Sequence, residues 1–187
     1  MMMDGELSPD QLHRLAGNIY RSSRVINEML QELVDVSRGR IHPPETCHLN
    51  EVIGAAVDVL LPLATEHNVA IEAAIDAEIE LPLERARVER VFLNLISNAI
   101  EAMPAGGRIS ISAVRNGDGI LVEVSDTGPG IPEAVRARLF QPFVTSGKNG
   151  LGLGLALSRQ TLLDHGGDLW VENIAGGGAR FRLRLPG

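Results

Sequence analysis

Cysteine is all but missing from this chain. Cys47 is the one thiol among 187 residues, which excludes an internal disulfide and suits a reducing compartment, so a cytoplasmic location is expected. Aromatic residues make up only 3% of the chain, and its apolar content is Leu, Ile, Val and Ala, as a core of helices on a sheet requires. Positive charge is in deficit: the formal net charge is −7, which excludes non-specific nucleic-acid binding through a basic surface. Long hydrophobic runs are missing too. The most apolar stretch, Val52 to Ala64, is broken by Asp58 and Pro62 and is too short to span a bilayer. The opening Met1-Met2-Met3-Asp4-Gly5-Glu6 lacks the charged and apolar parts of a signal peptide, so none is expected.

Three segments carry chemistry. Ile120 to Ser125 alternates as a strand and delivers Asp126 to the turn Thr127-Gly128-Pro129-Gly130-Ile131. Two closely spaced glycines let backbone approach a flat ligand, because no Cβ intervenes. A fixed carboxylate there can accept a hydrogen bond from the amino group of adenine. Guanine would offer an oxygen instead, so such a site selects ATP over GTP. Upstream, Arg87 to Met103 carries Val88, Val91, Phe92, Leu95, Ile96, Ala99 and Ile100 at helical spacing, and Pro104 stops the helix. Asn94 and Asn98, four residues apart, share one face of it. Their amide oxygens suit Mg²⁺, although two solvated asparagines would look the same. Downstream, Gly150-Leu151-Gly152-Leu153-Gly154-Leu155 leads into a helix, where free N–H groups can cradle phosphate. The spacing is not G-x-G-x-x-G, which excludes the dinucleotide fingerprint. Pro142 and Asn149 stand where a Walker A loop needs Gly and Ser or Thr.

These residues together resemble the catalytic ATP-binding domain of bacterial sensor histidine kinases, within the superfamily that includes gyrase-type and MutL-type ATPases. Asn94 to Met103 is similar to the N box and Asp126 to Ile131 to the first glycine box. Leu139-Phe140-Gln141-Pro142-Phe143 resembles the F box, and Gly150 to Gly154 the second glycine box. Gly176-Gly177-Gly178-Ala179-Arg180-Phe181 resembles the closing glycine turn and strand. The likeness covers roughly residues 47–187, in family order. Glu101-Ala102-Met103-Pro104 and Gln141-Pro142-Phe143 are similar to the nitrogen-sensor and oxygen-sensor branch.

The resemblance implies a role for each residue. Asp126 receives the adenine amino group, Gly128, Gly130 and Ile131 line the base pocket, and Phe143 belongs to the nucleotide site. Asn98 coordinates Mg²⁺, with Asn94 beside it. Gly150, Leu151, Gly152, Leu153, Gly154 and Leu155 wrap the phosphates at the hinge of a lid over residues 145–149. Lys148, the one cation in that lid, is the candidate for the terminal phosphate; a solvated surface lysine is the other reading. Many family members carry lysine where Glu101 stands, so phosphate charge is met differently here.

Two regions are expected along the chain: a helical dimerisation segment over 1–44 and the ATP-binding domain over 45–187. Ser8-Pro9-Asp10-Gln11 is a helix start, and Leu12, Leu15, Ile19, Ser22, Ile26, Met29, Leu33 and Val36 then form a heptad seam. The helix is expected to end near Arg40, before Pro43-Pro44. Its stripe either packs back on the domain or self-associates, and a homodimer is preferred. It resembles the second helix of the kinase dimerisation hairpin. No His-Glu or His-Asp phosphoacceptor box follows the family pattern: His13 precedes Arg14, and His42, His48, His67 and His165 read as solvated or capping. The chain is therefore read as beginning at the second hairpin helix, without the phosphoacceptor helix.

The fold expected is α+β, a two-layer sandwich with helices on one face of a mixed, mainly antiparallel sheet, preceded by a long coiled-coil-like helix. Strands are expected at residues 47–49, 69–75, 109–114, 120–125, 169–171 and 179–185. Asn50 is expected to cap a helix to Glu66, Pro132 to start a helix to Leu139, and Trp170 to be a packing residue. The function implied is phosphoryl transfer from Mg·ATP to a histidine elsewhere, with a response regulator as the parent's partner. A serine kinase of the anti-sigma-factor kind and a non-catalytic dimeric adaptor are the alternatives.

Overall fold

The computed structural model describes residues 44–144 and 152–187. The seam helix, His13 and His42 fall outside these residues, as do Lys148, Gly150 and Leu151. The described elements are β1 (Glu45–His48), α1 (Leu49–Glu66), β2 (Val69–Ala74), β3 (Glu80–Leu83), α2 (Arg85–Ala102), β4 (Gly107–Asn116), β5 (Gly119–Asp126), α3 (Glu133–Arg136), α4 (Gly154–Asp164), β6 (Asp168–Asn173) and β7 (Ala179–Pro186). Five strands form one sheet in the order β2-β4-β5-β7-β6; β2 and β4 are parallel and the other pairs antiparallel.

Alternation along each strand divides the sheet into two chemically distinct faces. Ala113, Val122, Leu183 and Leu169 lie in register across four strands, as do Ile111, Val124, Phe181 and Val171. These rows meet the apolar stripe of α2, where Val88, Val91, Phe92, Leu95, Ile96, Ala99 and Ile100 are all buried. Each large aliphatic or aromatic side chain buried this way contributes about 1.5–3 kcal/mol. The opposite face carries an ion-pair network. Arg182 donates to Glu123 at 2.7 Å and to Glu172 at 3.2 Å, and Arg180 lies 3.6 Å from Glu172.

Several local expectations change. The first strand is Glu45–His48, and it pairs with β3 in a separate two-stranded ribbon. The strand β3 has no counterpart in the sequence reading, because Pro82 breaks its apolar pattern. In a ribbon with one partner the missing proline N–H faces outward at little cost. His48, not Asn50, occupies the N-cap of α1 and makes no side-chain cap bond. Its ring instead bonds the Ala77 carbonyl at 3.2 Å. Pro132 takes the N-cap of α3, which stops at Arg136 rather than Leu139. Trp170 is 36% exposed, because it lies on the charged face, opposite Arg182. His67 and His165 are C-caps, each bonding a carbonyl of its own helix.

The helices α2 and α4 are clasped at one end. Arg87 bridges Glu84 and Asp164, and the Glu84 N–H donates to Nε2 of His165 at 3.1 Å. Burial alone would push the Asp164 carboxyl up, but hydrogen bonds from Arg87 and Gln160 and the Arg87 charge outweigh it and bring it below its ordinary value. Asp168 is lowered in the same sense, its burial offset by hydrogen bonds from Arg159 and the Leu169 N–H. A carboxylate depressed on folding stabilises above its unfolded pKa, and that share is lost as pH falls through the folded value. Urea unfolding at neutral and acid pH should therefore show stability declining below about pH 5. Asp164→Asn should cost under about 1 kcal/mol at neutral pH, because the pair is part-exposed and screened. It should also make the acid loss smaller. An acid dependence unchanged in the variant would remove Asp164 as a contributor.

Candidate functional site

The strand β5 ends by burying a carboxylate. Asp126 is only 7% exposed, a position a charged side chain holds only with partners. Its Oδ1 accepts the N–H groups of Gly128 at 2.8 Å and Ala179 at 3.2 Å. Among the described residues no donor reaches Oδ2. The surrounding turn is closed by absent side chains. A Cβ on Gly128 would lie 2.9 Å from Asp126 Oδ1 and 3.2 Å from Met103 Cγ. Gly130 has φ +76°, beside Asn173 and the Gly178 carbonyl.

Three residues that the sequence reading gave no role hold this turn. Asn173, at the end of β6, accepts the Ile131 N–H and donates to the Ile131 carbonyl, both at 2.8 Å. Thr127 Oγ accepts the Arg108 N–H at 3.0 Å and donates to Met103 sulfur at 3.5 Å. Met103 is buried against the turn at the end of α2. No local pattern marks these contacts, because each joins chain positions that are far apart.

Asn94 and Asn98 lie one turn apart on α2, both half-buried. Asn94 donates through Nδ2 to Ser158 Oγ at 3.0 Å, and Asn98 donates through Nδ2 to Asn94 Oδ1 at 3.4 Å. The Asn94 amide is thus engaged at both ends, and Asn98 Oδ1 has no protein donor among the described residues. Ala102, one turn beyond Asn98 on the same face of α2, meets the glycine turn, where a Cβ on Gly128 would lie 3.6 Å from Ala102 Cβ, so the Asn98 amide and the turn sit along one edge of the helix. On the other side α4 approaches closely: a Cβ on Gly154 would lie 2.2 Å from Asn94 Oδ1.

Leu139, Phe140 and Phe143 flank this region differently. Leu139 is buried, and Phe140 packs its ring 5.3 Å beneath the Arg159 guanidinium. Phe143, expected in the nucleotide site, is 75% exposed with φ +66°. Its N–H donates to the Gly152 carbonyl at 2.9 Å, which holds together the two ends flanking residues 145–151. Leu153 is buried, while Gly152, Gly154 and Leu155 are half-buried.

The donor set indicates what could bind. Among the described residues no cluster of His, Cys, Asp and Glu could hold a metal. One neutral amide oxygen cannot retain a cation by itself. It fits a hard divalent ion that keeps its waters and takes its other ligands from phosphates, as Mg²⁺ does. The buried Asp126 and its glycine cradle fit a flat base bearing an amino group. Among the described residues no helix is long and apolar enough to cross a membrane.

Known proteins resemble this chain in sequence and in fold. A family model described as histidine kinase-, DNA gyrase B-, and HSP90-like ATPase matches residues 84–187. Sensor protein FixL of Bradyrhizobium diazoefficiens is 39% identical over 142 residues, 74% of this chain and 28% of that protein. Adaptive-response sensory kinase SasA of a Synechococcus strain is 32% identical over 98% of this chain and 51% of its own length. The chain thus spans between about a quarter and a half of the curated relatives it matches. The nucleotide-free catalytic domain of histidine kinase ThkA superposes with a TM-score of 0.71 at 31% identity, covering 76% of this chain and 95% of that one. ThkA in complex with the response regulator protein TrrA superposes with a TM-score of 0.74 at 28% identity, covering 99% of this chain and 54% of that one.

Proposed function

The chain belongs to the histidine kinase-, DNA gyrase B- and HSP90-like ATPase family and carries the catalytic ATP-binding domain of a sensor histidine kinase; from that premise we propose that it presents the γ-phosphoryl group of ATP to a histidine on another segment or chain. The observation that carries this reading is Asp126, buried, with one oxygen fixed by two backbone N–H groups and the other without a donor among the described residues. Asp126 Oδ2 accepts from the adenine amino group, and Gly128, Gly130 and Ile131 form the wall of the base pocket. Asn98 Oδ1 is the protein ligand to Mg²⁺, with Asn94 holding that amide in orientation. When bound, Mg²⁺ neutralises phosphate charge and leaves the transferred group open to in-line attack. Backbone at Gly150, Gly152 and Gly154 wraps the phosphates, and Lys148 neutralises the terminal one. The protein's part is positioning and charge stabilisation, without covalent chemistry of its own.

No recognisable phosphoacceptor box lies in this chain, so the accepting histidine belongs elsewhere. Residues 1–44 serve self-association through Leu12, Leu15, Ile19, Ile26, Met29, Leu33 and Val36, and residues 45–187 form the kinase domain. A response regulator is the partner of the whole protein, as the ThkA complex with TrrA suggests by analogy.

Phosphoryl labelling with Mg·ATP, followed by acid treatment, tests the assignment alongside nucleotide binding. The chain alone should bind Mg·ATP and take up no label. An acid-labile label would place the acceptor here, with His13 examined first. An acid-stable label would favour the serine-kinase alternative. Asn98→Ala should weaken Mg²⁺-dependent ATP binding by about tenfold or more; an unchanged Mg²⁺ response would remove Asn98 as the ligand.

A further inference from the structure

The turn that begins at Asp126 ends at Ile131, and both of its ends are tied to one rung of the sheet. That rung is the pair Asn173 and Ala179, where β6 meets β7. At the near end the Ala179 N–H donates to Asp126 Oδ1 at 3.2 Å. At the far end the Asn173 side chain takes both backbone groups of Ile131. Its Oδ1 accepts the Ile131 N–H and its Nδ2 donates to the Ile131 carbonyl, each at 2.8 Å. Neither bond can be reversed. A backbone N–H only donates and a carbonyl only accepts, so the amide has one orientation. Gly130 leaves room for that amide, since a Cβ there would lie 3.0 Å from Asn173 Oδ1. The span from Asp126 to Ile131 is therefore fixed by protein groups alone.

We propose that Asn173 is a positioning residue for the base pocket, holding the turn Thr127–Ile131 in the shape that receives adenine. The inference rests on the reading of Asp126 as the group that accepts the adenine amino group. It adds an anchor at the opposite end of the same turn, contributed by the edge strand β6. Asp126 gives the pocket its polarity, and Asn173 sets how closely Gly128 and Gly130 approach the base. Held at one end only, a turn with two glycines samples other shapes. The apparent affinity then falls by the fraction of chains in the competent shape. The effect belongs to the base, so it is independent of Mg²⁺.

The test is calorimetric titration of the full chain with a non-hydrolysable ATP analogue, once in EDTA and once in excess Mg²⁺. Asn173→Ala should lower affinity by about tenfold in both, as losing two hydrogen bonds of ordinary net strength allows. The ratio of the two affinities should stay unchanged. A merely structural asparagine would lower Tm and leave the affinity of the folded chain as it was, which would overturn the proposal. A fall confined to Mg²⁺ would overturn it too, since the metal site would then carry the effect. Amide hydrogen exchange of the nucleotide-free protein reads the turn itself. The Ile131 N–H should exchange slowly in the unaltered chain. In Asn173→Ala it should speed up together with the Gly128 N–H near the other end. Rapid exchange at Ile131 in the unaltered chain would mean that the anchor does not hold, whatever the variant does. Failure of the underlying reading is distinguishable. If the unaltered chain does not bind the analogue, or Asp126→Asn binds it equally well, Asp126 does not read the base and the proposal falls with it. If Asp126→Asn loses affinity and Asn173→Ala keeps it, the anchor alone is wrong.

Discussion

Asp126→Asn should lower affinity for ATP by roughly a hundredfold while leaving the chain folded, because it reverses the polarity of one atom in the base pocket. Oδ1 is held by the Gly128 and Ala179 N–H groups. In the asparagine variant an oxygen must stay there, since turning the amide would set NH₂ against two donors. The NH₂ group is then forced into the place of Oδ2, facing the adenine amino group donor to donor. Loss of a charge-assisted hydrogen bond contributes about 1.5–3 kcal/mol, and the unpaired donors that replace it add to the loss. The same reversal has a positive signature. An inosine nucleotide carries an oxygen where adenine carries its amino group, so the preference for ATP over ITP should collapse or invert. Competitive binding of the two nucleotides to both chains measures this. An ATP-to-ITP ratio unchanged by the substitution would mean that Asp126 does not read the base. Asp126→Ala is a poorer probe, since it orphans the buried Ala179 N–H and the half-buried Gly128 N–H and confounds recognition with stability.

The features of this site legible in sequence are those whose signal is local. The stripe of α2 is periodic over several turns, and the alternation of β5 delivers Asp126 to a turn written in glycine. The strand segments of the main sheet are likewise local patterns, which is why an α+β architecture with one covered face could be read off the chain. Contacts that tie distant segments together leave no such trace. Ser158 meets Asn94, and Asn173 meets Ile131, across 64 and 42 residues, and each looks like an ordinary polar residue in its own neighbourhood. The strand β3 was hidden by Pro82, which argues against a strand unless its single partner is known. Trp170 misled for a related reason. Side-chain size suggests burial, but position on the sheet decides it, and the register opposite Arg182 puts Trp170 outside. His48 shows the same limit at a helix end: Asn50 has the better capping chemistry, yet the backbone turns into α1 two residues earlier.

Gly178→Ala should produce the largest combined loss of stability and binding, and a nearby glycine supplies its control. Gly176 and Gly178 share the same backbone dihedral, φ +94°, so both substitutions impose the same left-handed strain, about 1–2 kcal/mol. Their surroundings differ. A Cβ on Gly176 meets nothing within 4 Å, whereas one on Gly178 would lie 2.0 Å from the Asp126 carbonyl oxygen. That oxygen belongs to backbone in the middle of the site and cannot swing aside as a flexible side chain would. Relief requires β5 and β7 to part where the Ala179 N–H donates to Asp126 Oδ1. The total cost for Gly178→Ala should therefore reach about 3 kcal/mol or more. For a domain of this size that lowers Tm by roughly 6–12 °C. Displacement of Asp126 should weaken ATP binding in the same variant. Gly176→Ala should lose only the strain share and keep its nucleotide affinity. Thermal unfolding and ATP titration of the two variants separate the contributions. Equal loss in both would show that close packing of Gly178 on Asp126 does not hold the carboxylate in place.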